Sequence, residues 1–275
     1  MSDSATDTEF RGSIAGLYES YLVPLLFEPY AVELVKRLTS RDLSHITDLL
    51  EIAAGTGVVT RAMAAALPDS ISIVATDLNQ AMLDQAFMIG TSRPIEWRSA
   101  DAMQLPFANA SFDAVICQFG AMFFPDKVKA FSEIRRVLRP GGLFLFTIWD
   151  RIKENEFADV VTTALESVFP QDPPRFLART PHGYYDLQTI QQDLASGGFT
   201  QVAEMETVAA RSVAATSRDV AIGYCQGSPL RNEIEARKAP SLDEVTDITT
   251  EAIAERFGRE KPEGKISAHI IAIKN

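Results

Sequence analysis

Seven consecutive residues, Glu51-Ile-Ala-Ala-Gly-Thr-Gly57, carry the most informative chemistry of the chain. An apolar run, Asp48-Leu-Leu, leads into the Glu51 carboxylate. A turn of small residues follows (Ala53, Ala54, Gly55, Thr56, Gly57), and Val58–Leu67 then has helical patterning. Small side chains leave main-chain N–H groups open to a ligand, and the helix N-terminus behind them favours a carboxylate or phosphate. The run Ile71-Ser-Ile-Val-Ala-Thr ends in a second acid, Asp77, and the next segment ends in a third, Asp101. Ionised carboxylates only accept hydrogen bonds. Three of them at three successive strand ends describe a crevice for hydroxyls and an amine, and so a nucleoside-containing ligand.

Each acid also has a plainer role. Asp77 can accept both hydroxyls of a ribose, which suits a nicotinamide dinucleotide equally well, or it can cap the helix that starts near Asn79. Asp101 can receive the exocyclic amine of adenine, or it can bond its own backbone at the start of a loop. A lone Gly-x-Gly turn is a weak signal. A dinucleotide fingerprint starting at Gly55 requires a small residue at position 60, where Thr60 stands. No metal-ligand spacing and no nucleophile–base pair is apparent.

The elements that must position these residues alternate. The pattern predicts strand 48–52, helix 58–67, strand 71–77, helix 79–89, strands 95–99 and 112–118, helix 126–138 and strand 143–149. Such alternation implies a mostly parallel sheet with right-handed crossovers. The link 101–111 has no clear period. Residues 1–40 read as helix, with Pro24 forcing a kink or break and Ala31–Leu38 forming a second helix. Beyond Trp149 the pattern predicts a helix over 154–168, a proline-rich stretch to 185, and a helix capped by Asp186 that runs to Ala195. A strand over 199–211, helices over 217–226 and 242–257, and a last strand over 265–274 complete the reading.

The chain has 275 residues, a formal net charge of −11 and 23% charged residues. That balance argues against a nucleic-acid partner, whose phosphates are met by Lys and Arg. The one basic cluster, Arg135-Arg136-Val-Leu-Arg139, reads as a solvated helix C-terminus. No apolar run reaches the roughly 18 residues of a membrane span, and the acidic, polar start, residues 1–9, reads as a frayed tail rather than a leader. Cys117 and Cys225 are too few and isolated for a disulfide framework or zinc site. Cytoplasmic residence is the default expectation, with a small molecule as substrate.

Taken together, Leu-Leu-Glu-Ile-Ala-Ala-Gly-Thr-Gly, Ala-Thr-Asp-Leu-Asn-Gln-Ala-Met-Leu, Ser-Ala-Asp-Ala-Met-Gln-Leu-Pro-Phe, Ser-Phe-Asp-Ala-Val-Ile-Cys-Gln-Phe-Gly and Glu-Ile-Arg-Arg-Val-Leu-Arg-Pro-Gly-Gly resemble the class I S-adenosylmethionine-dependent methyltransferases. The similarity covers about residues 47–150 and points to the small-molecule branch with the ubiquinone and menaquinone C-methyltransferases. Pro181–Asp186 and the closing strand are similar more loosely. The resemblance implies an α/β fold with a doubly wound, seven-stranded, mostly parallel sheet whose last two strands form an antiparallel pair. It implies one domain over 1–275: a helical cap (1–45), a cofactor-binding core (46–150), and insertions over 151–185 and 212–262 on the substrate side.

By the same resemblance, Glu51 and the turn 53–57 would hold the methionine part of the cofactor, Asp77 its ribose, and Leu78 and Met82 the faces of its adenine. Asp101 and Ala102 would meet the adenine edge, Gln118 and Phe119 would line the cofactor, and Tyr18 and Tyr21 would lie on a helix closing over it. S-Adenosylhomocysteine would be the product. Ala53 stands where the family usually has its first glycine, which predicts a slightly altered turn. On the acceptor side, Phe119, Met122, Phe123 and Phe124 suit an apolar or aromatic molecule. His182, beside Tyr184, Tyr185 and Asp186, is the candidate general base, with a structural role as the plainer reading. Two rival functions stand beside methyl transfer: a nicotinamide-dependent oxidoreductase, and a cofactor-binding sensor or assembly protein without turnover.

Overall fold

A computed structural model describes Asp7 and residues 14–275; the tail expected over residues 1–9 lies, Asp7 apart, outside the described residues. The helices are α1 (Ile14–Leu17), a π-helical stretch (Tyr18–Phe27), α2 (Glu28–Thr39), α3 (Val58–Ala66), α4 (Gln80–Ile89), α5 (Lys127–Val137), α6 (Glu156–Val168), α7 (Phe176–Arg179), α8 (Leu187–Ser196), α9 (Ser217–Gln226), α10 (Leu230–Ala236) and α11 (Leu242–Phe257). The strands are β1 (Asp48–Ile52), β2 (Ser72–Asp77), β3 (Glu96–Ser99), β4 (Phe112–Gln118), β5 (Leu138–Trp149), β6 (Glu204–Val213) and β7 (Glu263–Lys274).

The seven strands form one sheet in the order β3-β2-β1-β4-β5-β7-β6. The pairs β3–β2, β2–β1, β1–β4 and β4–β5 are all parallel. The chain reverses direction of travel across the sheet after β3, so the gap between β1 and β4 is the switch point where such folds bind ligands, beyond the C-terminal strand ends. Asn275 N donates to Gly142 O at 2.9 Å and Asp150 N donates to Ser267 O at 3.0 Å. Numbers rising along β5 as they fall along β7 make that pair antiparallel. Ala214 N donating to Pro262 O (3.2 Å) and the Thr207–His269 contact (2.8 Å) make β7 and β6 antiparallel likewise.

The central strands are apolar because both their faces are covered. Leu49, Leu50 and Ile52 of β1 and Ala114, Val115, Ile116 and Cys117 of β4 are all buried. The expected antiparallel closing pair and mostly parallel sheet are therefore present. Three sequence expectations need correction. Of the kink or break expected at Pro24, the break is absent: the backbone widens to π geometry over Tyr18–Phe27 and runs directly into α2. A wider turn accommodates the N–H that proline lacks. The strand expected from Phe199 begins only at Glu204, because Phe199 closes α8 by donating its N–H to Leu194 O. The helix after β2 is capped by Asn79, whose side chain accepts from Ala81 N, and not by Asp77.

The chain groups into two compact units. One holds Tyr30–Ile148, Tyr184–Thr207 and His269–Asn275; the other holds the described residues up to Pro29, Trp149–Gly183 and Val208–Ala268. In the second unit α11 packs on α9 and α6, and capping boxes Thr216–Asp219 and Ser241–Glu244 fix the starts of α9 and α11. No helix among the described residues is long and apolar enough to cross a membrane.

Candidate functional site

The first unit brings Glu51, the turn 53–57, Asp77, Asp101 and Gln118 to the C-terminal ends of neighbouring parallel strands. Register explains this: Glu51 pairs with Ala75 of β2 and with Ile116 of β4, so Asp77 and Gln118 lie two positions further on, at the same edge. Between them runs a turn that the sequence folds sharply. Ala53, Gly55 and Gly57 all have positive φ (55°, 56° and 84°). At Gly57 space as well as conformation demands glycine, since a Cβ there would lie 2.8 Å from the Trp97 ring. Ala54 N–H bonds Thr76 O at 2.9 Å, and Gly57 N–H bonds Ala54 O at 2.9 Å.

The acids differ in environment. Glu51 is buried, and its Oε2 accepts from the Thr60 hydroxyl at 2.5 Å. Burial pushes its pKa up to about 8; Asp77 nearby raises it, while the Thr60 bond and Arg61 pull it down. Asp77 accepts from Gly55 N through Oδ2 and from Asn79 N through Oδ1, each at 2.8 Å. Desolvation raises its pKa too, against these backbone bonds. Each carboxylate oxygen has a second lone pair, so Asp77 keeps acceptor capacity for a diol while it ties the turn to β2. Asp101 does what the plainer reading predicted: Oδ1 accepts from Met103 N at 2.8 Å, which starts a loop.

That loop, 101–111, is held from α5. Arg136 donates to Leu105 O, Phe107 O and Asn109 Oδ1 at 2.7–3.0 Å and pairs with Glu133, which accepts from Leu105 N. Arg139 pairs with Asp48 and Asp113. Arg136 and Arg139 of the basic cluster are thus ion-paired while Arg135 stays exposed; Arg136 holds the loop that follows β3, and Arg139 ties the N-terminal starts of β1 and β4, at the opposite end of the sheet from the site.

At the end of β4, Phe119 adopts φ 51° and donates its N–H to Thr147 O at 3.0 Å, with its ring edge-on to Tyr30 at 5.4 Å. A non-glycine residue in this region carries backbone strain that the surroundings must hold. The next residue, Gly120, comes so close to the turn that a Cβ would lie 2.4 Å from Ala53 Cβ and 2.8 Å from Cys117 Sγ. The Ala53 departure from the family's glycine is therefore matched across the site by Gly120. Met82, Ala102 and Gln118 are buried, whereas Leu78 is 59% exposed. Of the residues after β4, Met122 and Phe124 are buried and Phe123 is half-buried. Lys127 clamps this segment, donating to Phe124 O at 3.0 Å beneath the Tyr184 ring.

Tyr18, Tyr21 and His182 belong to the second unit. There Tyr18 stacks on Phe27 (4.9 Å), Phe27 meets Trp149 (6.1 Å), and Trp149 meets His182 (5.9 Å). His182 is buried, with Nδ1 2.8 Å from Asp150 O. A carbonyl only accepts, so Nδ1 carries the proton and Nε2 the lone pair. Burial pushes its pKa down to about 4. Thr60 and Gly120 are the site residues that sequence reasoning missed. Thr60 was visible as a hydroxyl on the first turn of the helix, but its partner nine residues earlier was not.

Comparison with known proteins agrees with this geometry. Residues 50–146 match the model of the methyltransferase domain family. The ubiquinone/menaquinone biosynthesis C-methyltransferase UbiE of Ralstonia pickettii is 31% identical over 166 residues, 56% of this chain and 68% of that one. The enzyme of the same name from Teredinibacter turnerae is 29% identical over 56% and 67%. The match thus spans about two thirds of these relatives' length. A phosphoethanolamine N-methyltransferase of Haemonchus contortus, solved with S-adenosyl-L-methionine, superposes with a TM-score of 0.59 at 18% identity over 94% of this chain and 56% of that one. The chain belongs to the class I S-adenosylmethionine-dependent methyltransferases. Its residues fit that cofactor: acceptors in the buried Glu51 and the half-buried Asp77 suit an ammonium and a diol, and the buried Thr56 hydroxyl has no hydrogen-bond partner among the described residues.

Proposed function

We propose that the acceptor is a small apolar or aromatic molecule with an electron-rich reacting atom, and that the cofactor lies against the first unit's strand ends. In this reading Glu51 and the turn 53–57 hold the methionine part, with Thr56 Oγ1 donating to its carboxylate. Asp77 holds the ribose hydroxyls, Leu78 and Met82 flank the adenine, and Asp101 and Ala102 meet its edge. Gln118 and Phe119 line the cofactor. When bound, S-adenosylmethionine supplies an electrophilic methyl group that needs no further activation. The chain's own task is then alignment and exclusion of water.

The observation that carries the acceptor class is the aromatic series within the second unit, in which Tyr18 stacks on Phe27, Phe27 meets Trp149 and Trp149 meets His182. Aromatic side chains of this kind reward flat apolar molecules and leave a charged one unsolvated. The relatives' names, which tie them to C-methylation in quinone biosynthesis, support the same class. His182 is the candidate proton acceptor through Nε2. Its weak basicity suits an acceptor whose own proton is acidic, such as a phenol or enol.

The test is transfer of isotope-labelled methyl from the cofactor to matched panels of phenols, quinols and aliphatic amines, with product S-adenosylhomocysteine followed in parallel. Label entering phenols or quinols supports the reading. Label entering amines alone contradicts the acceptor class, and cofactor binding without label transfer to any panel favours a sensor or assembly role.

A further inference from the structure

Among the described residues Glu51 has no ion pair, and the one base that acts on it, Arg61, does so at longer range. The charged and titratable groups that face it are Asp77 at the end of β2, Arg61 on α3 and the buried Cys117 thiol on β4. Arg61 spends a donor on Thr56 O at 2.6 Å, and burial drives the Cys117 thiol up to about 12, so it is neutral. The remaining neighbour, Asp77, carries the same sign as Glu51. Two carboxylates brought together in a poorly solvated place cannot both ionise freely, and one of them keeps a proton. Thr60, fully buried, gives its hydroxyl proton to Glu51 Oε2. The same stretch of β1 is braced from β2 by Thr76, whose hydroxyl donates to Glu51 O at 2.9 Å.

We propose that Thr60 is a positioning residue which holds the Glu51 carboxyl for the cofactor's ammonium group, and that binding of the ammonium expels one proton from Glu51 to solvent. The inference rests on the cofactor assignment made above. In the free protein the proton sits on the Glu51 carboxyl. As the ammonium arrives, the O–H bond breaks, the proton passes to buffer, and the carboxylate pairs with the cation. The cofactor site is thus set by pH: it is held back below about pH 8 and fully receptive above it. Thr60 tunes the midpoint, because a hydroxyl donor favours the ionised carboxylate.

The experiment is calorimetric titration with S-adenosylhomocysteine, which carries the same ammonium, between pH 6.0 and 8.5 in buffers of differing ionisation enthalpy. Release of about one proton is expected at pH 6.5, declining to about a quarter of a proton at pH 8.5, as a group titrating near 8 requires. Affinity should rise about tenfold per pH unit from 6 to 7.5 and then level off. Glu51→Gln should abolish the proton release. Thr60→Val should move the midpoint to higher pH, and Thr60→Ser should restore it, a rescue that a purely structural role would not produce. Tight binding with no proton release, or an unmoved midpoint in Thr60→Val, overturns the inference while leaving the cofactor assignment intact. Failure of S-adenosylhomocysteine to bind folded protein at every pH overturns the assignment itself.

Discussion

Replacing Gly120 with alanine tests the contact that joins the β1 turn to the end of β4. The backbone at Gly120 has φ −100°, a conformation any residue adopts, so the substitution probes space alone. The added Cβ would meet Ala53 Cβ at 2.4 Å and Cys117 Sγ at 2.8 Å, whereas carbon atoms rest at about 3.5–4.0 Å. One of the two segments must move by about an ångström. Overpacking of this kind costs ~1–3 kcal/mol, and Gly120→Ala should lose that much stability in urea denaturation. Ala53→Gly removes one side of the clash. It also relieves a left-handed alanine worth ~1–2 kcal/mol, offset by ~0.4–1 kcal/mol of extra freedom in the unfolded chain. Ala53→Gly alone should therefore be neutral to stabilising by up to ~1.5 kcal/mol, and in its background the cost of Gly120→Ala should fall to roughly half, the Cys117 contact remaining. Gly120→Ala should also weaken S-adenosylhomocysteine binding, because the turn that moves lines the site. A Gly120→Ala protein of unchanged stability, or a cost identical in both backgrounds, would refute the close approach and the account of why Ala53 is tolerated.

Glu51 makes the free protein's stability depend on pH. Its folded carboxyl keeps a proton to about pH 8, whereas the unfolded chain releases it near 4.5. The folded state therefore binds more protons in that window, and stability falls as pH rises through it, by on the order of 4–5 kcal/mol in all. Chemical denaturation of Glu51→Gln should lack this decline; an equally steep decline in the variant would contradict the assignment. His182 has the opposite sign, with pKa about 4 folded against 6.5 ordinarily. Its contribution is present above pH 6.5 and lost as pH falls toward 4, on the order of 3 kcal/mol, so His182→Phe should flatten the acid limb of the stability curve. Arg136→Ala cuts the bonds to Leu105, Phe107 and Asn109; hydrogen exchange over 101–111 should quicken and cofactor affinity should drop several-fold, and an unchanged exchange pattern would show that Arg136 does not hold the loop.

The alternating core was legible because its signals are local. Glu51 and Asp77 each close an apolar run, Asp101 closes the segment after them, and β1, α4, β4 and α11 begin or end within a residue of where periodicity puts them. Contacts between distant segments were not legible. The pairing of Thr60 with Glu51, the approach of Gly120 to Ala53, and the clamp of Arg136 on the 101–111 link each depend on how neighbouring strands place their ends, which no single window of sequence contains. Pro24 shows another limit. A proline predicts loss of a hydrogen bond, but the chain met that loss by widening a helix rather than ending it. The short helices α7 and α10 escaped notice because four and seven residues give too few turns for a period to show.

The measurement that bears most directly on the central claim is equilibrium binding of S-adenosylhomocysteine, beside reduced nicotinamide dinucleotide, to the native chain and to Asp77→Ala at pH 8. The account predicts binding of the former alone, weakened in the variant by ~1–3 kcal/mol, the scale of leaving buried hydrogen-bonding groups unmatched. Binding of the dinucleotide instead, or affinity for S-adenosylhomocysteine indifferent to Asp77, would contradict it.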